Sequence, residues 1–161
     1  MKLTERFAII PLLEPADWQS AGSDLDSVNM GLLHSLCAII QLGAITGNDT
    51  VIKVYSGASA GTKTTAFAFR YRLSGADQGA AGADQFGDLQ AAVVAATGLV
   101  FTDAANYSER LIAIEIDSDQ LPDGEPWLTI EIDDGSASVL LLSAVGIGVP
   151  RHSANDVPTV I

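Results

Sequence analysis

Residues 127–133, Trp127-Leu128-Thr129-Ile130-Glu131-Ile132-Asp133, alternate apolar and polar side chains without a break. A period of two puts Leu128, Ile130 and Ile132 on one face of an extended chain, with Thr129, Glu131 and Asp133 on the other. Such a segment is a strand with one face in a core and one in water. Residues 111–117 (LIAIEID) repeat the pattern, with Ile112, Ile114 and Ile116 opposed to Glu115 and Asp117.

The same period extends outward in both directions. Residues 65–73 set Phe67, Phe69, Tyr71 and Leu73 against Arg70 and Arg72. Residues 7–13, 36–42 and 51–55 carry the signal less cleanly, and residues 99–101 add a short strand. Residues 137–149 are apolar on both faces around 139–142 and read as a long central strand, bulged or bent near Gly146 and Gly148. The expected core contains Phe67, Phe69, Ile112, Ile114, Ile130, Ile132 and Leu141, with Arg70, Glu115 and Glu131 facing outward.

Turn residues punctuate these runs at Gly47-Asn48-Asp49, Pro122-Asp123-Gly124 and Asp133-Asp134-Gly135. Residues 75–87 read as a long exposed loop. The Ala-rich residues 88–96 allow a helical turn or two, against which the β-branched pair Val93-Val94 argues. The pattern predicts an all-β fold: an antiparallel two-sheet β-sandwich of about eight strands, for which a jelly roll is one arrangement. Residues 1–30 are expected to supply an N-terminal strand and extended arm, 31–149 the sandwich, and 150–161 an extended C-terminal tail.

Of the 161 residues 48% are hydrophobic and 17% charged, a composition that folds rather than staying disordered. The net charge of −12 repels phosphate, which argues against nucleic acid and against anionic membrane surfaces as partners. Ten acidic residues and one basic residue, Arg110, lie between Asp103 and Asp134. This is a solvated face favouring solubility or, read more sharply, a surface for a basic partner. Cys37, alone in the sequence, forms no intrachain disulfide and reads as a small core residue within Leu36-Cys37-Ala38-Ile39-Ile40. No stretch approaches the roughly 20 apolar residues of a membrane helix, and Glu5, Pro11 and Glu14 spoil a signal peptide, so a cytoplasmic product is expected.

Chemistry-bearing residues are sparse. His34 and His152 stand far apart, and no nucleophile signature such as GxSxG accompanies them. One cysteine and two histidines do not make a zinc set. Gly57, Gly61 and Lys63 lack the GK[ST] ending of a phosphate loop. Asp117, Asp119, Asp123 and Glu125 hint at calcium, but Leu121 stands where an EF-hand needs its fifth-position ligand, and a strand-end turn is the preferred reading. Glu115 and Glu131 could face one another across strands, without the apolar burial that tunes a catalytic acid. No catalytic, cofactor or metal residue is nominated, and a non-enzyme is expected. The candidate interface residues are instead Trp18, Pro150, Arg151, His152, Val157, Pro158, Val160 and Ile161: an aromatic anchor, and a tail kept extended by proline with apolar side chains to insert.

Residues 43–47 (GAITG), 64–72 (TTAFAFRYR), 112–121 (IAIEIDSDQL) with Asp123-Gly124, and the closing Gly148-Val149-Pro150-Arg151 resemble a family of small tailed-bacteriophage virion proteins. The resemblance spans about 28–161 and leaves 1–27 outside. It implies a β-sandwich structural component, a decoration (cement) protein on the capsid surface of the virion, made in the host cytoplasm and bound to the major capsid protein lattice. It carries over no catalytic residue. An acidic chain suits the outside of a DNA-packed shell. A homo-oligomer is expected, with a trimer as first choice, because the apolar tail and Trp18 look exposed on an otherwise well-solvated chain. Two other readings stand beside it: a tail or head–tail joining protein, and a carbohydrate-binding or adhesion module with an aromatic platform drawn from Trp18, Tyr55, Tyr107 and Trp127.

Overall fold

The computed structural model describes residues 3–18, 23–46, 50–75, 81–82, 84–102, 104–134 and 139–152. Among them the strands are β1 (Ala8–Asp17), β2 (Ser23–Asp24), β3 (Val28–Asn29), β4 (Leu33–Thr46), β5 (Thr50–Gly57) and β6 (Thr65–Ala66). They continue with β7 (Tyr71–Leu73), β8 (Leu99–Val100), β9 (Leu111–Asp117), β10 (Trp127–Asp134) and β11 (Val139–Pro150). All pairings between strands are antiparallel, in two sheets. One sheet runs β1-β11-β4-β9-β7; the other runs β2-β10-β5-β6, with β3 also on β10 and β8 also on β5. The fold is an all-β sandwich.

The strand count exceeds the eight expected because two outer strands are broken. β2 and β3 pair with successive parts of β10, and β8 and β6 with successive parts of β5. Taken as one strand each, and with β7 set aside as an addition beside β9, they leave eight. Their order is then first-eighth-third-sixth in one sheet and second-seventh-fourth-fifth in the other. That order is the jelly roll, two Greek keys folded over one core.

The core lies between the sheets. Ile40, Ile112 and Ile114 from one side and Ile52, Leu128, Ile130 and Ile132 from the other are at most 2% exposed. Phe101, fully buried after β8, stacks on Tyr107 with ring centroids 4.2 Å apart. The segment 65–73 is not one strand: β6 belongs to the six-stranded sheet and β7 to the five-stranded one. Burial alternates only around the crossover; on β7 Tyr71, Arg72 and Leu73 are all half-buried. Phe69 is buried and Arg70 exposed, while Phe67 is only half-buried.

Three further expectations are corrected and one, the irregularity near Gly146 and Gly148, is met. Leu140 and Leu142 point inward on β11, and Leu141 is 41% exposed. The register shifts of β11 against β4 fall between Leu140 and Leu142 and between Val149 and Pro150, and β1 shifts opposite Val145 and Ala144, so irregularities lie next to both Gly146 and Gly148 as expected. Those glycines face the core, where a Cβ would lie 3.0 Å from a Leu36 methyl and 2.9 Å from Leu33 methyls respectively. Residues 88–96 form no helix; Gln90 and Val93 donate backbone bonds to Tyr71 and Phe69, so the segment runs as a strap beside β7. Glu115 and Glu131 lie in different sheets and do not face one another.

Candidate interaction surface

The outer face of the five-stranded sheet is built by strands with apolar residues on both sides. Register across β1, β11, β4 and β9 forms one row of Ile9, Ile147, Cys37 and Glu115. The next row is Pro11, Val145, Ile39 and Ala113. Ile9, Val145 and Leu141 are 43%, 42% and 41% exposed, while Ile39, Ile147 and Cys37 are half-buried between them. An apolar sheet face of this kind marks a contact surface more often than scattered single leucines do. Acidic residues border it on β9, where Glu115 and Asp117 are exposed.

Cys37 therefore sits on this outer face and not in the core expected for it. Burial, and then the negative charge of Glu115 opposite, push its thiol above the ordinary range. A thiol held protonated in this way is a poor nucleophile. The face was missed from sequence, yet a signal was present: Leu36-Cys37-Ala38-Ile39-Ile40 and 139–142 leave no polar side of the strand.

The outer face of the six-stranded sheet is polar. Lys53 on β5 is opposite Glu131 on β10, and Glu131 is opposite Asp24 on β2. The connection from β5 to β6 returns over this face. Its Lys63 ammonium lies 3.0 Å from Asp24 and 2.6 Å from Glu131, and 5.8 Å from the centre of the Tyr55 ring. Desolvation works against both charges, but the hydrogen bonds from Lys63 and Tyr55 outweigh it and hold Glu131 below the ordinary carboxylate range. The same ion pairs leave Lys63 raised despite its own desolvation. Beneath the loop, Ser27 and Thr129 hydroxyls are 2.7 Å apart, and the Gly61 N–H donates to Ser27 Oγ.

β1 ends the five-stranded sheet, and Pro11 and Pro15 blunt its free edge against strand addition. An open groove of about 700 Å³ runs along this edge past Pro11, Leu13, Trp18 and Val145. Trp18 is half-buried against the core, its backbone N–H donating to Leu140 O at 2.9 Å. Pro150 closes β11, half-buried, and His152 is exposed. Arg151 is clamped: its backbone N–H donates to Leu32 O, its Nε–H to Leu33 O at 2.9 Å, and its guanidinium to Ser118 Oγ at 2.8 Å. Val157, Pro158, Val160 and Ile161 lie outside the described residues.

The acidic stretch 117–125 is divided among local tasks. Gln120 accepts from the Asp117 N–H at 3.3 Å, and Glu125 accepts from Ser56 and Thr65 at 2.6 and 3.2 Å. Among the described residues no three His, Cys, Asp or Glu side chains gather as a metal set. No family model, curated protein or solved structure matches the chain.

Proposed function

We propose that this chain is a non-enzymatic virion structural protein that decorates and stabilises the outside of a tailed-phage capsid. The observation that carries the reading is the Arg151 clamp. Three hydrogen bonds fix Arg151 just past the end of β11, the last strand and one of the two most extensively paired. A jelly roll whose last strand ends at a clamped Arg151, followed in sequence by the apolar, proline-containing residues 153–161, suits attachment to a lattice by insertion into grooves between its subunits. A net charge of −12 keeps such a protein off the packaged DNA. The groups that would serve catalysis are poorly placed: both histidines are exposed, and Cys37 is held protonated.

The carbohydrate reading is weakened by its aromatic residues. Tyr107 stacks inside on Phe101, Trp18 packs on the core, and Lys63 sits over Tyr55.

Deleting 153–161 and co-sedimenting the product with shells that lack the protein tests the proposal. Attachment should weaken about tenfold or more, equivalent to ~1.4 kcal/mol, while the melting temperature stays within a degree or two of the parent. Full occupancy without 153–161 would refute it, and so would an unchanged sedimentation of the full chain in the presence and absence of shells.

A further inference from the structure

We infer that the outer face of the five-stranded sheet docks on the same face of a second copy, making a two-fold dimer with the sheets back to back. The inference is independent of the capsid reading, since it concerns the free protein. Its first support is area. Four strands about 4.8 Å apart, with about six residues each rising ~3.4 Å, give a face of roughly 400 Å² in plan. Two such faces, with side-chain relief added, bury on the order of 1,000 Å², the lower bound of a specific interface. That area supports a dimer that dissociates on dilution.

Its second support is charge. Register places the start of β1 level with the end of β9: Ala8 is opposite Gly148, Gly148 opposite Leu36, and Leu36 opposite Ile116. Arg6, exposed just before β1, is thus at the same end of the sheet as Asp117 and Glu115, with β11 and β4 between them. A two-fold axis parallel to the strands and midway between β11 and β4 lays each β1 over the partner's β9, with β7 lying beyond it. Each Arg6 then comes level with the partner's acidic pair, and the apolar rows of Ile9 and Val145 meet their counterparts. A face meeting itself is isologous and closes at two copies. Aligned packing of sheets supplies the geometry.

Sedimentation equilibrium over a concentration series tests this, with the accessibility of Cys37 to a maleimide as a local reporter. The wild-type mass should rise from 16.7 kDa toward twice that value, and Cys37 labelling should slow in parallel. Val145→Glu, at an exposed position, should keep the melting temperature and abolish both effects. Arg6→Glu should raise the dissociation constant about tenfold, with Asp117→Arg in the same chain restoring it. A wild-type mass that stays at 16.7 kDa across the series, or a trimer, would overturn the inference. Retained dimerisation in Val145→Glu would do the same. Cys37 shielded only when capsid shells are added would assign the face to a capsid subunit, overturning the dimer and leaving the proposed function in place.

Discussion

The two sheets present opposite faces to the outside. The six-stranded sheet carries Asp24, Glu131 and Lys53 there, and the loop that returns from β5 roofs it, its Lys63 ion-paired with Asp24 and Glu131. The five-stranded sheet carries Ile9, Ile39, Val145 and Ile147. Only the first behaves as a sheet face in water should. A strand apolar on both sides has one side for its own core and another left over. Conserving a solvated surface needs no partner; leaving an aliphatic one costs about 25 cal/mol per Å² until it is covered. The difference separates a face that is finished within the chain from one that is not.

The largest effect that sharpens this contrast lies within one strand. Ile40 and Ile39 are neighbours on β4, the first fully buried between the sheets and the second half-buried on the outer face. Ile40→Ala should cost roughly 2–5 kcal/mol in urea unfolding. Ile39→Ala should cost about 1 kcal/mol or less in dilute protein, and more as concentration rises if a second copy covers it. Equal costs for the two at every concentration would mean that both sides of β4 are interior, and the contrast between the faces would be lost.

Next in size is a backbone effect on the six-stranded sheet, whose outer strands are short. Gly98 enters β8 with φ +72, and a Cβ there would lie 2.6 Å from the backbone oxygen of Ile52. Gly98→Ala should therefore cost at least ~2 kcal/mol, combining left-handed strain with a clash that the backbone cannot relieve. Gly61, with φ +75 in the β5–β6 loop, has nothing within 4 Å of its Cβ position. Gly61→Ala should pay only the conformational part, about 1 kcal/mol. Thermal melts of the pair separate strain from contact, and a larger loss at Gly61 would reverse the assignment.

Strand identity was legible where the two sides of a strand differ chemically, as in 111–117 and 127–133, because the polar residues set the phase. On β11 there is no such marker. Leu140, Leu141 and Leu142 are alike, and only pairing of Leu140 with Ile45 and Leu142 with Leu42 decides that Leu141 points out. Gly146 and Gly148 look like bend residues in sequence; their role depends on Leu33 and Leu36, which reach over them from β4. The crossover inside 65–73 leaves no trace in the sequence, since Phe67 and Phe69 keep the apolar period while the chain passes from one sheet to the other. Cys37 was placed in the core by its apolar neighbours, although a continuous apolar run cannot say which of two faces is interior. The apolar surface and the mistaken positions thus share one cause, a strand without a polar side.

The smallest effect concerns the ion cluster, and its pH dependence has a definite sign. Desolvation opposes ionisation of Glu131, but hydrogen bonds from Lys63 and Tyr55 prevail and lower it from its ordinary 4.5. The unfolded chain therefore takes up this proton first on acidification. The contribution of Glu131 is complete above 4.5 and fades as pH falls through its lower folded value. Lys63 is raised from 10.5, so its contribution is complete below that value and fades as pH rises through its higher folded one. Between these limits the cluster should contribute a constant amount, about 0.5–1 kcal/mol for a partly exposed pair, and less in high salt. The difference in urea stability between wild type and Glu131→Gln isolates it from the other carboxylates. That difference should be flat through neutral pH and shrink as pH falls below 4.5. A difference that persists undiminished in acid would show that Glu131 contributes by packing on the sheet face and not by charge, making the two outer faces less unlike than their composition suggests.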